Sequence, residues 1–325
     1  MKYERPKVSI SKCLGFGKCR FDGSMISSNE VEQLKEYVDF LPLCPEMGMG
    51  LPAPRESLRL ISDKMNEEKH RLLTTKGGID MTEEMLKFSK KALIQLLEFQ
   101  PDGFLLKSRS PSCGIKEVRL YSSIEKGPSL NNKSKGIYAE FMMESFPDLI
   151  FEDEGRISNF NLREHFYTII FTKADFRKTK EIGTIKALID FHSKNKYLFM
   201  AYSQNQLSVL GRIVANHDKK TIEKTMEEYE SNMNKLLLKM PATGRYINVM
   251  LHIFGYFSNQ LLDTEKAYFL DSLENYRSQH IPQSTVMGLL WSWVIRFDEA
   301  YLRQQTVFNP FPKELIQVTD SGKGL

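Results

Sequence analysis

A length of 325 residues suits two domains rather than one. Hydrophobic residues at 41% and charged residues at 26% exclude a disordered chain and provide for packed cores. The formal charge of +4 is too small to indicate a nucleic-acid binder, and four cysteines in so long a chain exclude a disulfide framework. In chain order, the opening MKYERPKVSIS alternates charged with apolar residues and has no apolar run of the kind that marks a secretory signal. No stretch approaches the roughly 18 apolar residues of a membrane span. The longest candidate, around GLLWSWVI, is cut short by Arg296 and Asp298. A cytoplasmic protein without membrane contact is expected, its cysteines serving as thiols or metal ligands.

Strand-like runs come first: KVSIS (7–11), VDFLPL (38–43), SLRLIS (57–62), GFLLK (103–107) and EVRLY (117–121). Helical runs separate them, NEVEQLKEYV and then TEEMLKFSKKALIQLLEF. In the latter, Met85, Phe88, Ala92 and Gln95–Leu96 step by three and four, with Thr82 as the expected N-cap. Alternating strand and helix predicts an α/β domain, a Rossmann-like parallel sheet covered by helices. Further on, KGIYAEFMMESFP reads as a helix stopped by Pro147, and FEDEGRISNFNLR as a charged connector. All that follows reads as helix. Over 219–240, Ile222, Met226, Tyr229, Met233, Leu236 and Met240 form an apolar stripe; Val286, Leu290, Trp293 and Phe297 repeat the spacing, and Pro241–Gly244 and Pro282 punctuate. The expected domains are residues 1–155, α/β, and 156–325, an all-α helical domain.

Cys13, Cys44 and Cys113 each follow a strand candidate. In an open α/β sheet, ligands bind beyond the carboxyl ends of the strands, where residues distant in sequence can meet. LGFGK after Cys13 and GMGLP after Cys44 are glycine-rich, and SPSCG offers hydroxyls and a tight turn. The residues alone leave two readings open. A cysteine at a strand end serves commonly as a small buried hydrophobe, and no local C-x-x-C run marks a metal site.

The segments SKCLGFGKCRFDG, LPLCPEMGMGLPAPRESLRL and LKSRSPSCG resemble the three signature segments of the thiouracil desulfidase (TudS) family. KGIYAEFMMESFPDLIFEDEGRISNFNLREHF is similar to members that carry an extra C-terminal domain. That domain resembles the YbgA-type helical domain of unknown function, through KYLFMAYSQNQLSVLGRIVA and GRYINVMLHIFGYFSNQLLDTEK. The resemblance implies removal of sulfur from a thiouracil-like compound without net redox change. It implies a 4Fe–4S cluster whose three ligands fall on Cys13, Cys44 and Cys113, with one iron open and Cys19 outside the set. One departure is the short stretch between Cys13 and Cys44, which bears on the pocket wall. The expected substrate is therefore the wider class of thiolated pyrimidines and related thioamide heterocycles.

Such chemistry gives neighbouring residues roles. Soft sulfur donors and a soft open iron select a thiocarbonyl over its carbonyl product. Water then needs a base, and Glu46, two residues past Cys44, is the candidate; its alternative is a partner for Arg55. Ser110 and Ser112 are candidate donors to substrate or cluster sulfur, or ordinary turn residues. Lys107, Arg109 and Arg20 are candidates to offset cluster charge, and Asp22–Gly23 reads first as a turn. In the helical half, Asn248 with His252, Tyr202-Ser203-Gln204 and Tyr276-Arg277 are groove candidates, while Trp291, Trp293 and the methionine stripe read as core. Two rivals stand beside the desulfidase: a non-catalytic iron–sulfur or zinc module closed by Cys19, and a desulfidase acting on thiolated RNA, against which the weak net charge counts.

Overall fold

The computed structural model describes residues 3–62, 70–124, 129–130, 133–216 and 218–316. The chain forms two compact units. One runs to Ala174 and includes the stretch from Glu314; the other is Asp175–Lys313.

In the first unit the strands are β1 Lys7–Ser11, β2 Asp39–Leu43, β3 Leu58–Ser62, β4 His70–Thr74, β5 Gly103–Leu106, β6 Val118–Tyr121, β7 Lys133–Ser134 and β8 Ile150–Asp153. Its helices are α1 Asn29–Leu34, α2 Pro45–Gly48, α3 Thr82–Phe99 and α4 Ile137–Ser145, and α5 Phe160–Ile182 runs on past Ala174. The principal sheet has the order β2-β1-β5-β8 and is parallel throughout. From β1 the chain moves out to β2 and later returns to β5 on the other flank of β1, so the strand order reverses around β1. Both central strands are apolar or small and buried on both faces: Val8, Ser9, Ile10 and Ser11 in β1, and all four residues of β5.

The single expected sheet is accompanied by a second, of order β4-β3-β6-β7, in which β3 and β6 are parallel and the outer pairings antiparallel. Leu58, Leu60, Leu72, Leu120, Phe104, Leu106 and Met142 join the two sheets and α4 in one core. Helix α3 buries Met85, Ala92 and Leu96 as its periodicity predicts, while Gln95 stays exposed. It ends where Gln100 turns left-handed at φ 55° and Pro101 follows.

Three local expectations are corrected. Thr82 is the first residue inside α3, not its cap; its hydroxyl serves Leu72 N–H (2.9 Å) and Asp80 (2.6 Å) instead. The run read as a charged connector holds β8 and the start of α5. Its acids hid the strand, yet Glu152 and Asp153 are 4% and 5% exposed, Glu152 being paired with Arg156. Helix α1 stops at Leu34, short of the whole NEVEQLKEYV run, through turns closed by Lys35 and Tyr37 N–H groups.

The second unit is helical: after the end of α5 come α6 Ile185–Lys194, α7 Lys196–Tyr202, α8 Gln204–Ala215, α9 Ile222–Leu237, α10 Thr243–Phe254, α11 Asp263–Arg277, α12 Gln283–Arg296 and α13 Ala300–Arg303. The α9 stripe buries Met226, Tyr229, Met233 and Leu236, whereas Met240 lies past the helix and is exposed. Tyr229 stacks on Phe176 at 5.5 Å and meets Phe191 edge-on at 6.1 Å. Val286, Leu290 and Trp293 of α12 are buried, and Phe297 caps that helix against Phe257. Among the described residues no helix is long and apolar enough to cross a membrane.

Candidate functional site

Parallel pairing brings the carboxyl ends of β2, β1 and β5 out side by side, with Ser11 opposite Leu43 and Ile10 opposite Leu105. Cys13 leaves β1 and Cys44 leaves β2, still joined by Lys12 N–H donating to Leu43 O at 2.8 Å. The exit from β5 is tied to β1 through Lys107 N–H and Ser11 Oγ at 2.9 Å, and the following loop returns Cys113 to the same edge. The three predicted cysteines therefore meet. Cys19, set outside the predicted ligands, is also there, its thiol within hydrogen-bonding reach of both Cys13 and Cys44.

Local geometry fixes each sulfur. Cys44 occupies the N-cap position of α2, with Pro45 starting the helix and Met47 N–H directed at the Cys44 sulfur. The Cys113 turn is wound around Ser110, whose Oγ accepts from Ser112 N–H and Cys113 N–H, both at 3.2 Å. Two glycines let the backbone close on that turn. A Cβ at Gly136 would lie 2.4 Å from Ser112 O, and one at Gly114 2.4 Å from Val118 Cγ2. Helix α4 docks there, with Ile137 and Ala139 N–H groups donating to Pro111 and Ser112 carbonyls.

All four cysteines are free thiols, Cys13, Cys19 and Cys113 buried and Cys44 half-buried. The hydrogen bond with Cys13 pushes the Cys19 thiol up to about 11. Cys44 is raised by its hydrogen bond with Cys19 and then by burial, and Cys113 chiefly by burial. A bound cation reverses that logic, because a coordinating thiol gives up its proton outright. The donor set, soft sulfurs gathered at one sheet edge and mostly buried, fits an iron–sulfur cluster. Among the described residues no group of three or more His, Cys, Asp or Glu side chains is arranged to hold a single metal ion.

Glu46 sits beside this edge. Both the Nε (2.9 Å) and Nη2 (2.6 Å) of Arg55 donate to its Oε2, and Ser112 Oγ donates to its Oε1 at 2.7 Å. The side chains of Arg55 and Glu46 are 5% and 14% exposed. Sequence reasoning saw Arg55 only as a partner for Glu46. Its second role, donation to Cys19 O at 3.0 Å and Pro52 O at 2.9 Å, depends on the fold and has no local signal. Ser11, beside Cys113, and Glu154 were likewise missed.

The remaining cations are differently placed. Lys107 is spent on Glu154 and Ser108, Arg20 lies 3.7 Å from Asp22, and Arg109 is exposed with φ 56°. Asp22 binds Ser24 N–H and Oγ, the turn expected of it. In the helical unit, Ser203 caps α8 through Gln206 N–H. Ser203, Gln204 and Asn248 line, with Arg245, a cavity of about 270 Å³. Tyr202 is buried and His252 exposed, and Arg277 pairs with Glu274.

Comparison with known proteins divides the chain the same way. Residues 8–154 match the family model described as 2-thiouracil desulfurase, and residues 196–312 match DUF1722, a protein family of unknown function. The uncharacterized protein YbgA of Escherichia coli (strain K12) is 29% identical over 156 residues, 47% of this chain and 91% of that protein. The uncharacterized protein YbbK of Bacillus subtilis (strain 168) is 28% identical over 151 residues, 45% of this chain and 96% of that protein. Among solved structures, a 4Fe–4S-dependent thiouracil desulfidase, TudS, is 28% identical with a TM-score of 0.38, over 47% of this chain and 93% of its own. The cysteine-bearing region thus matches the 2-thiouracil desulfurase family model and the helical region the DUF1722 model, joined here in one chain.

Proposed function

We propose that this protein is a cytoplasmic desulfidase that removes sulfur from a thiolated pyrimidine or related thioamide heterocycle. In this reading Cys13, Cys44 and Cys113 hold a 4Fe–4S cluster with one iron open. The observation that carries it is the meeting of these three thiols at the ends of adjacent parallel strands, inside residues matched by a desulfurase family model. When bound, the cluster supplies a soft Lewis acid for the thiocarbonyl sulfur. The net reaction adds water to the thiocarbonyl and yields carbonyl and hydrogen sulfide, so no electrons enter or leave. Glu46 receives the proton of the attacking water, with Ser112 steering Oε1 and Arg55 holding Oε2. Ser110 has its acceptor side spent on the Cys113 turn and keeps its O–H free to donate to substrate.

Purification without oxygen, followed by iron, acid-labile sulfide and zinc analysis, tests the cofactor. Brown protein with equal iron and sulfide that releases hydrogen sulfide from 2-thiouracil is the expected result. Colourless protein with stoichiometric zinc would overturn it. Sulfide release from thiolated RNA but not from the free base would move the substrate to the polymer. The contact of Cys19 with Cys13 and Cys44 favours one second reading, a closed four-cysteine module without catalysis; loss of all iron on replacing Cys19 would support it.

A further inference from the structure

Arg55 lies toward the far end of the segment that carries Cys44, and its guanidinium reaches both that segment and the one that carries Cys19. Nη2 donates to Cys19 O at 3.0 Å, on the segment that leaves β1, and to Glu46 Oε2 at 2.6 Å, on the segment that leaves β2. Nε adds a second bond to Oε2 at 2.9 Å, and Nη1 anchors the group to Pro52 O at 2.9 Å. From the far oxygen of Glu46 the chain of bonds continues to Ser112 Oγ at 2.7 Å, one residue before Cys113. A single planar cation thus links all three cysteine-bearing segments through one carboxylate. The side chain that does so is 5% exposed.

The chemistry of the guanidinium suits this task, because its donors lie in one rigid plane and stay charged. An ammonium on a flexible stem carries the charge without the fork. Burial sharpens the requirement. The Glu46 carboxylate, 14% exposed, would otherwise lose its charged partner largely away from water.

We propose that Arg55 is a positioning residue that fixes the Glu46 carboxylate in its working orientation against the Cys19 and Cys113 turns. The proposal rests on the desulfidase reading and deepens it. Arg55 touches neither substrate nor cluster in this scheme; it acts through Glu46. Reacting groups tolerate little misplacement: a shift of about 1 Å can cost on the order of 10²-fold in rate.

The test is Arg55→Lys in the anaerobically loaded protein, alone and combined with Glu46→Gln. Expected for Arg55→Lys are unchanged iron and acid-labile sulfide, unchanged melting cooperativity, KM for 2-thiouracil within about twofold of wild type, and kcat lower by about 10²-fold. Expected for the double variant is a kcat no lower than that of Glu46→Gln alone, because the two changes remove one function. Should Arg55→Lys fail to melt cooperatively, Arg55→Gln is read by the same measurements. Wild-type kcat in Arg55→Lys would overturn the proposal, as would losses that multiply in the double variant. Loss of iron from a cooperatively melting Arg55→Lys would also overturn it, leaving Arg55 a purely architectural residue of the cluster pocket. Wild-type protein that holds no cluster removes the desulfidase reading and this proposal together, whereas a competent wild type with an indifferent Arg55→Lys removes only the proposal.

Discussion

A carboxylate offers about four lone-pair positions. Glu46 spends two on Arg55 and one on Ser112, which leaves one on Oε1 for a water molecule. In the proposed role, Glu46 would therefore take its proton on the Ser112 side, toward the Cys113 turn. Glu46→Gln should keep its iron and still change its spectrum on adding 2-thiouracil, yet turn over about 10²–10⁴-fold more slowly. Sulfide release measured beside iron content decides it; wild-type turnover would remove Glu46 from the reaction. The cysteines divide by the same kind of reasoning. Cys19→Ala should leave iron near the wild-type level, while Cys13, Cys44 or Cys113 changed to Ser should deplete it. Equal depletion in all four would make the site closed.

At the scale of elements, the site is an edge of three parallel strands plus one helix start. Gly136 permits the approach of α4 to the Cys113 turn, since any Cβ there would strike Ser112 O. Gly136→Ala should cost about 1–3 kcal/mol of stability, the usual range for overpacking, and should release iron more readily in chelator. Denaturant melting and iron loss rates measure both, and a variant as stable as wild type would show that α4 yields without consequence. The strand ends behind the cysteines were readable because β1 and β5 are short, apolar and buried on both faces. Strand β8 was not, because Glu152 and Asp153 look solvent-bound until Arg156 is folded against them. Strand ends made a meeting of Cys13, Cys44 and Cys113 possible in the sequence, and the family resemblance was needed to name them as one set. Glu46 was named for its nearness to Cys44 and its pairing with Arg55 was the alternative weighed for it, a pairing the structure contains. The contact with Ser112 spans 66 residues, and no local pattern encodes it.

At the scale of the whole molecule, Cys13, Cys19, Cys44 and Cys113, with Glu46, Arg55 and Ser112 beside them, all lie in the unit that runs to Ala174. That unit also draws in the stretch from Glu314, whose carboxylate lies near enough to help raise the Tyr3 and Tyr37 hydroxyls. A fragment of residues 1–174 should therefore acquire its cluster when produced alone without oxygen, since the sheet edge is complete within it. It should also melt below the full chain, because it lacks the returning stretch from Glu314 that belongs to the same unit. Iron and acid-labile sulfide per fragment, with a thermal melt of the same sample, give the answer. A fragment that melts cooperatively yet takes up no cluster would require a ligand from Asp175–Lys313, and the exposed His252 would be the first to replace. A fragment that loads and releases sulfide from 2-thiouracil at the full-chain rate would free the DUF1722 region from the chemistry.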